Sequence, residues 1–459
     1  METDSIAALV TPPGEGGVGI VRVSGPLAPA LPSILFPALS DGWLSHAARV
    51  GGLVDPSSGE TVDEALGLLM RAPRSYTGED VFEIQCHGSP LVLERVLRIC
   101  LERGCRAARP GEFTLRAFLN GRMDLAQAEA VIDVVRARSN ASLDLAVRQL
   151  EGRLSRRIDP IRSDLVGLLA RVEAMIDFVE EDVPPELDEA SIERLEHAQR
   201  AVQTLLEGAE QGIVLREGAT LAIVGSPNVG KSSIMNALLG LERSIVTPIA
   251  GTTRDTVEET LQVRGVPFRT VDTAGITISE DVVERIGVER SRRAIEGADV
   301  VLLVLDRSRA LSASDTVALE AVSGQSHNGH AARVVVTLNK SDLPDALGRP
   351  SFDGLVPTSV VESSTVLEDG MEAIREALEE AALGGERHEF VVANVRHQDA
   401  LRRCDESLGA VFEGLKSSVP LDLVSFDLRA AVQALGEITG QNVDDELLDR
   451  IFREFCIGK

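Results

Sequence analysis

Lysine is scarce in this chain: four residues, Lys231, Lys340, Lys416 and Lys459, among 46 basic side chains, the rest being arginine. A compact ammonium and a planar guanidinium are not interchangeable at tight sites, so these four positions are candidates for places where the ammonium itself is needed. Aromatics are few as well, with 12 Phe, one Trp and one Tyr in 459 residues, which argues against the stacked-ring platforms of single-strand nucleic-acid binders. Five cysteines, odd in number and without a CxxC pair, argue against a disulfide framework or a structural zinc site and fit a reducing compartment. No apolar run approaches the ~18 residues of a membrane span. The opening METDSIAALVTPPGEGG has neither the basic start nor the apolar core of a secretory signal, which predicts a cytoplasmic protein.

What is abundant is acid. With 72 acidic against 46 basic side chains the net charge is -26, so a broad phosphate-neutralising surface is not expected, and any nucleic acid is met locally or through a partner. At about 100 to 200 residues per domain, the length predicts two to four domains.

Four sections follow from patterning. Residues 1–122 mix strand-like runs (IAALV, GIVRVSG, ALGLLMRA, DVFEIQCHG) with one helical stretch, PLVLERVLRICLERG, closed by Gly104, and read as an α+β domain. Residues 123–215 are long amphipathic helices, interrupted at Pro184-Pro185. Residues 216–384 alternate apolar strands (TLAIVGS, VVLLVLD, ARVVVTLN) with helices, the sign of a mostly parallel α/β sheet. Residues 385–459 are helical again. Helices on both sides of an α/β unit predict that the unit is inserted into one helical domain, which requires only that its ends lie close together.

The strongest chemical signal is Gly225-Ser-Pro-Asn-Val-Gly230-Lys231-Ser232, a GxxxxGK(S/T) phosphate loop between the strand TLAIV and the helix SSIMNALLG. Such a loop turns consecutive N–H groups and a helix N-terminus toward phosphates, while Lys231 reaches the β and γ groups and Ser232 offers a hydroxyl to magnesium. Downstream come Thr252-Thr253, then Asp272-Thr273-Ala274-Gly275 after an apolar strand, then Asn339-Lys340-Ser341-Asp342 after another. These resemble the elements of Ras-like GTPases. By that resemblance Thr253 ligates magnesium, Asp272 binds it through water, and Gly275 meets the γ-phosphate. Asp342 is placed to accept from the N1–H and 2-amino group of guanine, a donor pair that adenine lacks, so a carboxylate left unpaired there selects GTP over ATP. Asn339 is expected to tie the base loop to the phosphate loop. The best match for the fifth GTPase element is Thr358-Ser359-Val360.

Ras-like proteins place a water-orienting glutamine directly after the DxxG glycine, and here that residue is Ile276, which cannot serve. Glu284, in SEDVVERIGVERSRRA, is a candidate carboxylate, though its position alone better suits a solvated helix residue.

Taken together the motifs resemble the tRNA modification GTPases of the MnmE (TrmE) family nearly end to end: DSIAALVTPPGEGGVGIVRVSG, SYTGEDVFEIQCHGSP, RPGEFTLRAFLNGRMDLAQAEAVID, VTPIAGTTRD, DTAG followed by VERIGVERS, and the terminal Phe455-Cys456-Ile457-Gly458-Lys459. The resemblance implies a multidomain α/β plus α fold: an N-terminal α+β folate-binding-like domain that dimerises, a discontinuous helical domain, and an inserted Ras-like α/β GTPase domain. It implies potassium-stimulated hydrolysis with GTPase domains paired across a homodimer. Potassium contacts fall on Asn228, Thr247, Ile249 and Thr252, and magnesium on Ser232 and Thr253. GTP contacts extend over Asn228, Val229, Gly230, Lys231, Ser232 and Ser233, then Thr247, Pro248, Ile249, Ala250, Gly251, Thr252 and Thr253. Glu284 takes the position of the catalytic glutamate.

Folate contacts carry over to Arg22, Glu83, Arg122 and Lys459, with Arg122 standing where some relatives have lysine. A carboxylate suits the pterin's amino-pyrimidinone edge and basic groups suit the glutamate tail. Cys456, between Phe455 and Ile457, has the setting of a small buried hydrophobe, whereas the resemblance makes it a catalytic candidate near the folate. The implied partner is an FAD-dependent flavoprotein, MnmG (GidA), with which the family modifies carbon 5 of wobble uridine, adding an aminomethyl or carboxymethylaminomethyl group from a 5-formyl- or methylene-tetrahydrofolate donor. Two other readings of the motifs are a ribosome-assembly switch GTPase of the Era or Der type and a nucleotide-gated scaffold. The first lacks here its basic RNA-binding module or second GTPase domain; the second draws on Ile276.

Overall fold

The computed structural model of the chain describes residues 4–39, 42–177, 187–241, 260–270, 295–323, 332–348, 350–352, 354–385, 392–417 and 419–459. It divides into two compact units, residues 1–132 with 436–459, and residues 133–435.

The first unit is built on a six-stranded sheet of β1 (Ile6–Leu9), β2 (Gly16–Ser24), β3 (Ala48–Val54), β4 (Thr61–Met70), β5 (Val81–Gly88) and β6 (Arg106–Ala107), in the order β3-β4-β5-β2-β1-β6. All pairings are antiparallel except β1 with β6. The period of two along a strand sorts its side chains: Val21 and Val23 of β2 and Phe82 and Ile84 of β5 are fully buried, while Arg22 and Glu83 point to the opposite face. The helix Pro90–Glu102 lays Leu93, Val96, Ile99 and Cys100 on the apolar face at helical spacing, completing a core with Leu31, Leu35, Phe36 and Leu69. Each such side chain removed from water contributes roughly 1.5 to 3 kcal/mol.

Residues 436–459 of this unit include the helix Asp445–Arg453, whose start is capped by the Asp444 carboxylate accepting from Leu447 N. Phe452 and Phe455 then turn inward, with ring centroids 5.2 Å apart. The tail is seated on the end of β1: Gly458 has φ +97, and a β-carbon there would overlap the Leu9 carbonyl oxygen. Only glycine serves at that step.

The second unit holds the other sheet: β7 (Ala219–Val224), β8 (Thr260–Val263), β9 (Val266–Thr270), β10 (Val300–Asp306), β11 (Arg333–Asn339) and β12 (Ser359–Glu362), in the order β12-β11-β10-β7-β9-β8. Five strands are parallel and β8 is antiparallel to β9. All seven residues of β10 are buried, as a parallel strand covered on both faces requires. The same unit carries long helices, Arg153–Asp177, Glu189–Glu207 and Val395–Lys416 among them, with apolar stripes such as Leu195, Ala198, Val202 and Leu205. No helix among the described residues is long and apolar enough to cross a membrane. Because β7, β10, β11 and β12 run in parallel, the loops leaving their C-terminal ends gather along one edge, where open α/β sheets take their ligands.

Candidate active site

The loop after β7 opens that edge. Gly225, Asn228 and Gly230 have φ of 150, 62 and 104, the positive-φ backbone by which such a loop can turn N–H groups toward a phosphate, before the helix Lys231–Leu241 begins. Lys231 folds its ammonium over the loop, donating to Gly225 O at 2.8 Å and Ser226 O at 2.7 Å. Burial pushes its pKa below the ordinary lysine range, with Asp315 opposing that shift. Ser232 and Ser233 are exposed in the first helical turn.

The loop after β11 meets it. Asn339, 2% exposed, donates from Nδ2 to Val229 O at 2.8 Å. Its Oδ1 accepts from Ser363 Oγ at 3.2 Å. Lys340, at φ 65, sends Nζ to Asp306 Oδ2 at 2.7 Å. Desolvation works to raise the Asp306 pKa, but the bonds from Lys340 and Ser308 outweigh it and hold the carboxyl below its usual range. Asp342 is exposed, and its Oδ1 accepts from Ser364 Oγ at 2.7 Å.

These contacts bear on where the fifth element is sought. Thr358-Ser359-Val360 lies at the entrance of β12, where Thr358 N donates to Val334 O and Ser359 pairs with Val335. That is the opposite end of the strand from Asn339–Asp342, because β12 runs parallel to β11. The residues that reach the base loop are Ser363 and Ser364, just past the exit of β12: Ser341 N donates to Ser363 O at 2.9 Å, and Ser364 is fully buried against Asp342. In sequence the signal is a doubled serine, Ser363-Ser364, one residue after Val360-Val361.

Thr247, Pro248, Ile249, Ala250, Gly251, Thr252, Thr253, Asp272, Thr273, Ala274, Gly275, Ile276 and Glu284 lie outside the described residues.

In the other unit, direct register between β2 and β5 sets Arg22 opposite Glu83, and Arg22 Nε donates to Glu83 Oε1 at 2.8 Å. The guanidinium sits 5.1 Å from the Tyr76 ring centroid and 5.6 Å from that of Phe113, which supports a planar cation. Arg122 Nε donates to Ser75 O at 3.1 Å, next to Tyr76. Lys459 is half-buried at the end of the tail that meets Leu9, and Leu9 pairs with Val21, the neighbour of Arg22. Thus Arg22 and Glu83 are joined directly, while Arg122 bonds the residue before Tyr76 and Lys459 follows the glycine that meets Leu9.

Cys456 is exposed, whereas Cys86, Cys100, Cys105 and Cys404 are buried. Burial pushes the Cys86 and Cys404 thiols up to about 12 and that of Cys105 to about 11. His87 leaves β5 with Nδ1 on Asp63 Oδ1 at 2.8 Å.

The chain matches the family model described as GTP-binding protein TrmE N-terminus over residues 5–122, and the model described as MnmE helical domain over residues 125–456. It is 48% identical to the tRNA modification GTPase MnmE of Geobacter sulfurreducens over 461 residues, 99% of each chain. It is 45% identical to that of Listeria welshimeri over 467 residues, all of each chain. With the Enterococcus faecalis protein of the same name it shares 44% identity over 467 residues, 100% of this chain and 99% of that one.

Proposed function

The chain belongs to the MnmE family of tRNA modification GTPases, and from that premise we propose that GTP is bound between the loop 225–232 and the loop 339–342 and hydrolysed in a potassium-stimulated reaction that serves wobble-uridine modification. The observation that carries this is the Asn339 bond to Val229 O, which makes the phosphate loop and the base loop one recognition surface. Asp342, braced by Ser364, selects guanine.

Hydrolysis needs water directed at the γ-phosphorus, and Ile276 cannot direct it. Glu284 supplies that function indirectly, a reading carried by sequence. Asn228, Thr247, Ile249 and Thr252 would hold potassium, and Ser232 and Thr253 magnesium. When bound, these cations offset the negative charge that the phosphates bring to the loop. The exposed Ser232 and the positive-φ loop before it fit that part of the donor set which the structure describes.

In the N-terminal domain, Glu83, Arg22, Arg122 and Lys459 fit a tetrahydrofolate derivative by chemistry, a carboxylate for the amino-pyrimidinone edge and basic groups for the glutamate tail. Such a derivative supplies the one-carbon unit, with glycine or ammonium as the source of nitrogen. The exposed Cys456 thiol is a catalytic candidate on the tail. The protein works in the cytoplasm as a homodimer with the FAD-containing partner MnmG, which, given a net charge of -26, presents the main tRNA surface. Residues 1–122 form the folate domain, 123–215 with 385–459 the helical domain, and 216–384 the GTPase domain.

The test is reconstitution with the flavoprotein, supplying folate donor, glycine and GTP, in potassium and in sodium buffers. Potassium-dependent GTP turnover together with a modified wobble uridine is expected. Equal turnover in sodium overturns the ion assignment, and turnover without tRNA modification overturns the rest.

A further inference from the structure

Asp315 is 1% exposed, yet it is a carboxylate and no part of any GTPase motif. It lies in the first turn of the helix Ala313–Ser323 and takes five hydrogen bonds. Ser312 N and Oγ donate to Oδ2 at 2.8 and 2.7 Å, and Arg309 Nη1 donates to the same oxygen at 2.7 Å. Ser226 Oγ donates to Oδ1 at 2.5 Å, and Arg309 Nη2 reaches that oxygen at 3.2 Å. The bonds from Ser312 are those of an ordinary helix start and would form at the surface. The remaining three are not. They join the helix to the phosphate loop and to the loop after β10, and they are what makes burying the charge tolerable.

Ser226 is the point of contact. Its Oγ binds Asp315 and receives Arg309 Nη2 at 3.0 Å, while its carbonyl receives Lys231 Nζ. The side chain and main chain of one residue therefore link a buried carboxylate to the lysine of the phosphate loop. Arg309 extends the same network, since its Nε stands 3.7 Å from Asp306 Oδ2, the partner of Lys340. Charges alternate along it: Asp315, Arg309, Asp306, Lys340.

We infer that Asp315 is a positioning residue for GTP binding: through Ser226, with Arg309 as its counter-ion, it holds the phosphate loop in the shape that receives the β- and γ-phosphates. A loop that binds by converging N–H groups gains affinity when its shape is fixed before the ligand arrives. The inference rests on residues 225–232 being the phosphate loop, so Lys231→Ala serves as the separate control. If Lys231→Ala binds nucleotide normally, the reading of the loop fails and not the tie.

The experiment uses the full-length chain, with a fluorescent GDP analogue for Kd and GTP hydrolysis at saturating substrate for kcat. Ser226→Ala and Asp315→Asn each weaken GDP binding about 10-fold, the scale of a hydrogen bond to a charged group. The loss falls mainly on Kd, and kcat at saturating GTP changes by less than Kd does, because the contact serves ground-state binding. The double variant binds more tightly than the two single losses added together predict, since both changes weaken the shared Ser226–Asp315 bond, while Ser226→Ala also removes the acceptor of Arg309 Nη2. Additive losses, an unchanged Kd in Asp315→Asn, or a collapsed kcat with Kd preserved would each overturn the inference. Should Asp315→Asn fail to fold, the cycle of Ser226→Ala with Arg309→Met reads the same coupling and leaves the buried carboxylate in place. Non-additivity is again expected there, and additivity again refutes it.

Discussion

Gly230 and Asn339 cannot both be kept if the glycine gains a side chain: a β-carbon at 230 would collide with Asn339 Nδ2, the atom that donates to Val229 O at 2.8 Å. The backbone there is left-handed, with φ 104, so strain adds to the collision. Gly230→Ala is expected to weaken GDP and GTP binding by at least about 100-fold, since the 225–230 loop and the base loop lose their register together. A fluorescent-nucleotide titration checks it, and binding within tenfold of wild type would show that the tie is dispensable.

Much of this edge is legible in sequence because the groups that meet phosphate and guanine must be fixed residue types at fixed spacing from a strand end. Gly225–Ser232 and Asn339–Asp342 are of that kind. Period-two and period-3.6 patterning likewise gave β2, β5 and the helix Pro90–Glu102. Three things escape it. The β8–β9 hairpin turns at Arg264 and Gly265 without a conventional turn pair, and Arg264 at φ 49 is held by Glu372 and Glu379, distant in sequence. Asp315 looks like any helix-start acid until Ser226 and Arg309 are seen around it. Ser363 and Ser364 do not stand out in sequence from Thr358-Ser359-Val360, because only the register of β12 on β11 says which end of the strand faces the base loop.

Two serines five residues apart test which end of β12 serves the base loop. Ser364→Ala removes the donor to Asp342 Oδ1 and the acceptor of Val366 N, so nucleotide affinity is expected to fall roughly tenfold. Ser359 Oγ is buried and has no hydrogen-bond partner among the described residues, so Ser359→Ala is expected to leave affinity unchanged and stability equal or slightly higher. Equilibrium binding and urea unfolding of both variants decide between the two ends of the strand.

Glu284→Ala is expected to retain GTP binding while kcat falls by about 100-fold or more, the cost of losing the group that directs water. Single-turnover hydrolysis with bound GTP separates this from a binding defect, and near-normal turnover would remove Glu284 from the mechanism.

The five thiols should separate cleanly. Burial holds Cys86 and Cys404 near about 12 and Cys105 near about 11, and it also raises Cys100, so almost no thiolate exists at these positions at pH 8. Cys456 alone is exposed. A chromogenic disulfide reagent at pH 8 is expected to titrate one thiol quickly in the native protein and all five after denaturation, and Cys456→Ser to abolish the fast phase. A fast phase surviving in that variant would mean that one of the four buried thiols is reached in the native state.

Acid should act early on the N-terminal unit. Arg116, itself buried, donates to Asp4 Oδ1 at 2.6 Å and Glu112 Oε1 at 3.2 Å, and Arg106 donates to Asp4 Oδ2 at 2.8 Å and Glu112 Oε1 at 2.6 Å. Desolvation pushes both carboxyls upward, but the arginine bonds prevail and hold them below their unfolded values of 3.8 and 4.5. A carboxyl whose pKa is depressed on folding contributes stability that is fully present above its unfolded pKa and is lost as pH falls through the folded one. The contribution is therefore intact at pH 7 and erodes below about 4.5. Trp43, the single tryptophan, packs 5.6 Å from both Phe36 and Phe82, so its fluorescence follows this unit in urea. The wild-type midpoint is expected to hold between pH 7 and 5 and to drop steeply toward pH 3. Arg116→Met should cost about 3 kcal/mol at pH 7, by stranding carboxylates in a buried setting. It should also flatten the acid slope, because those carboxyls then have less to lose on protonation. A variant that is destabilised but keeps the full wild-type slope would mean that Arg116 matters through its packing and not through the carboxylates it binds.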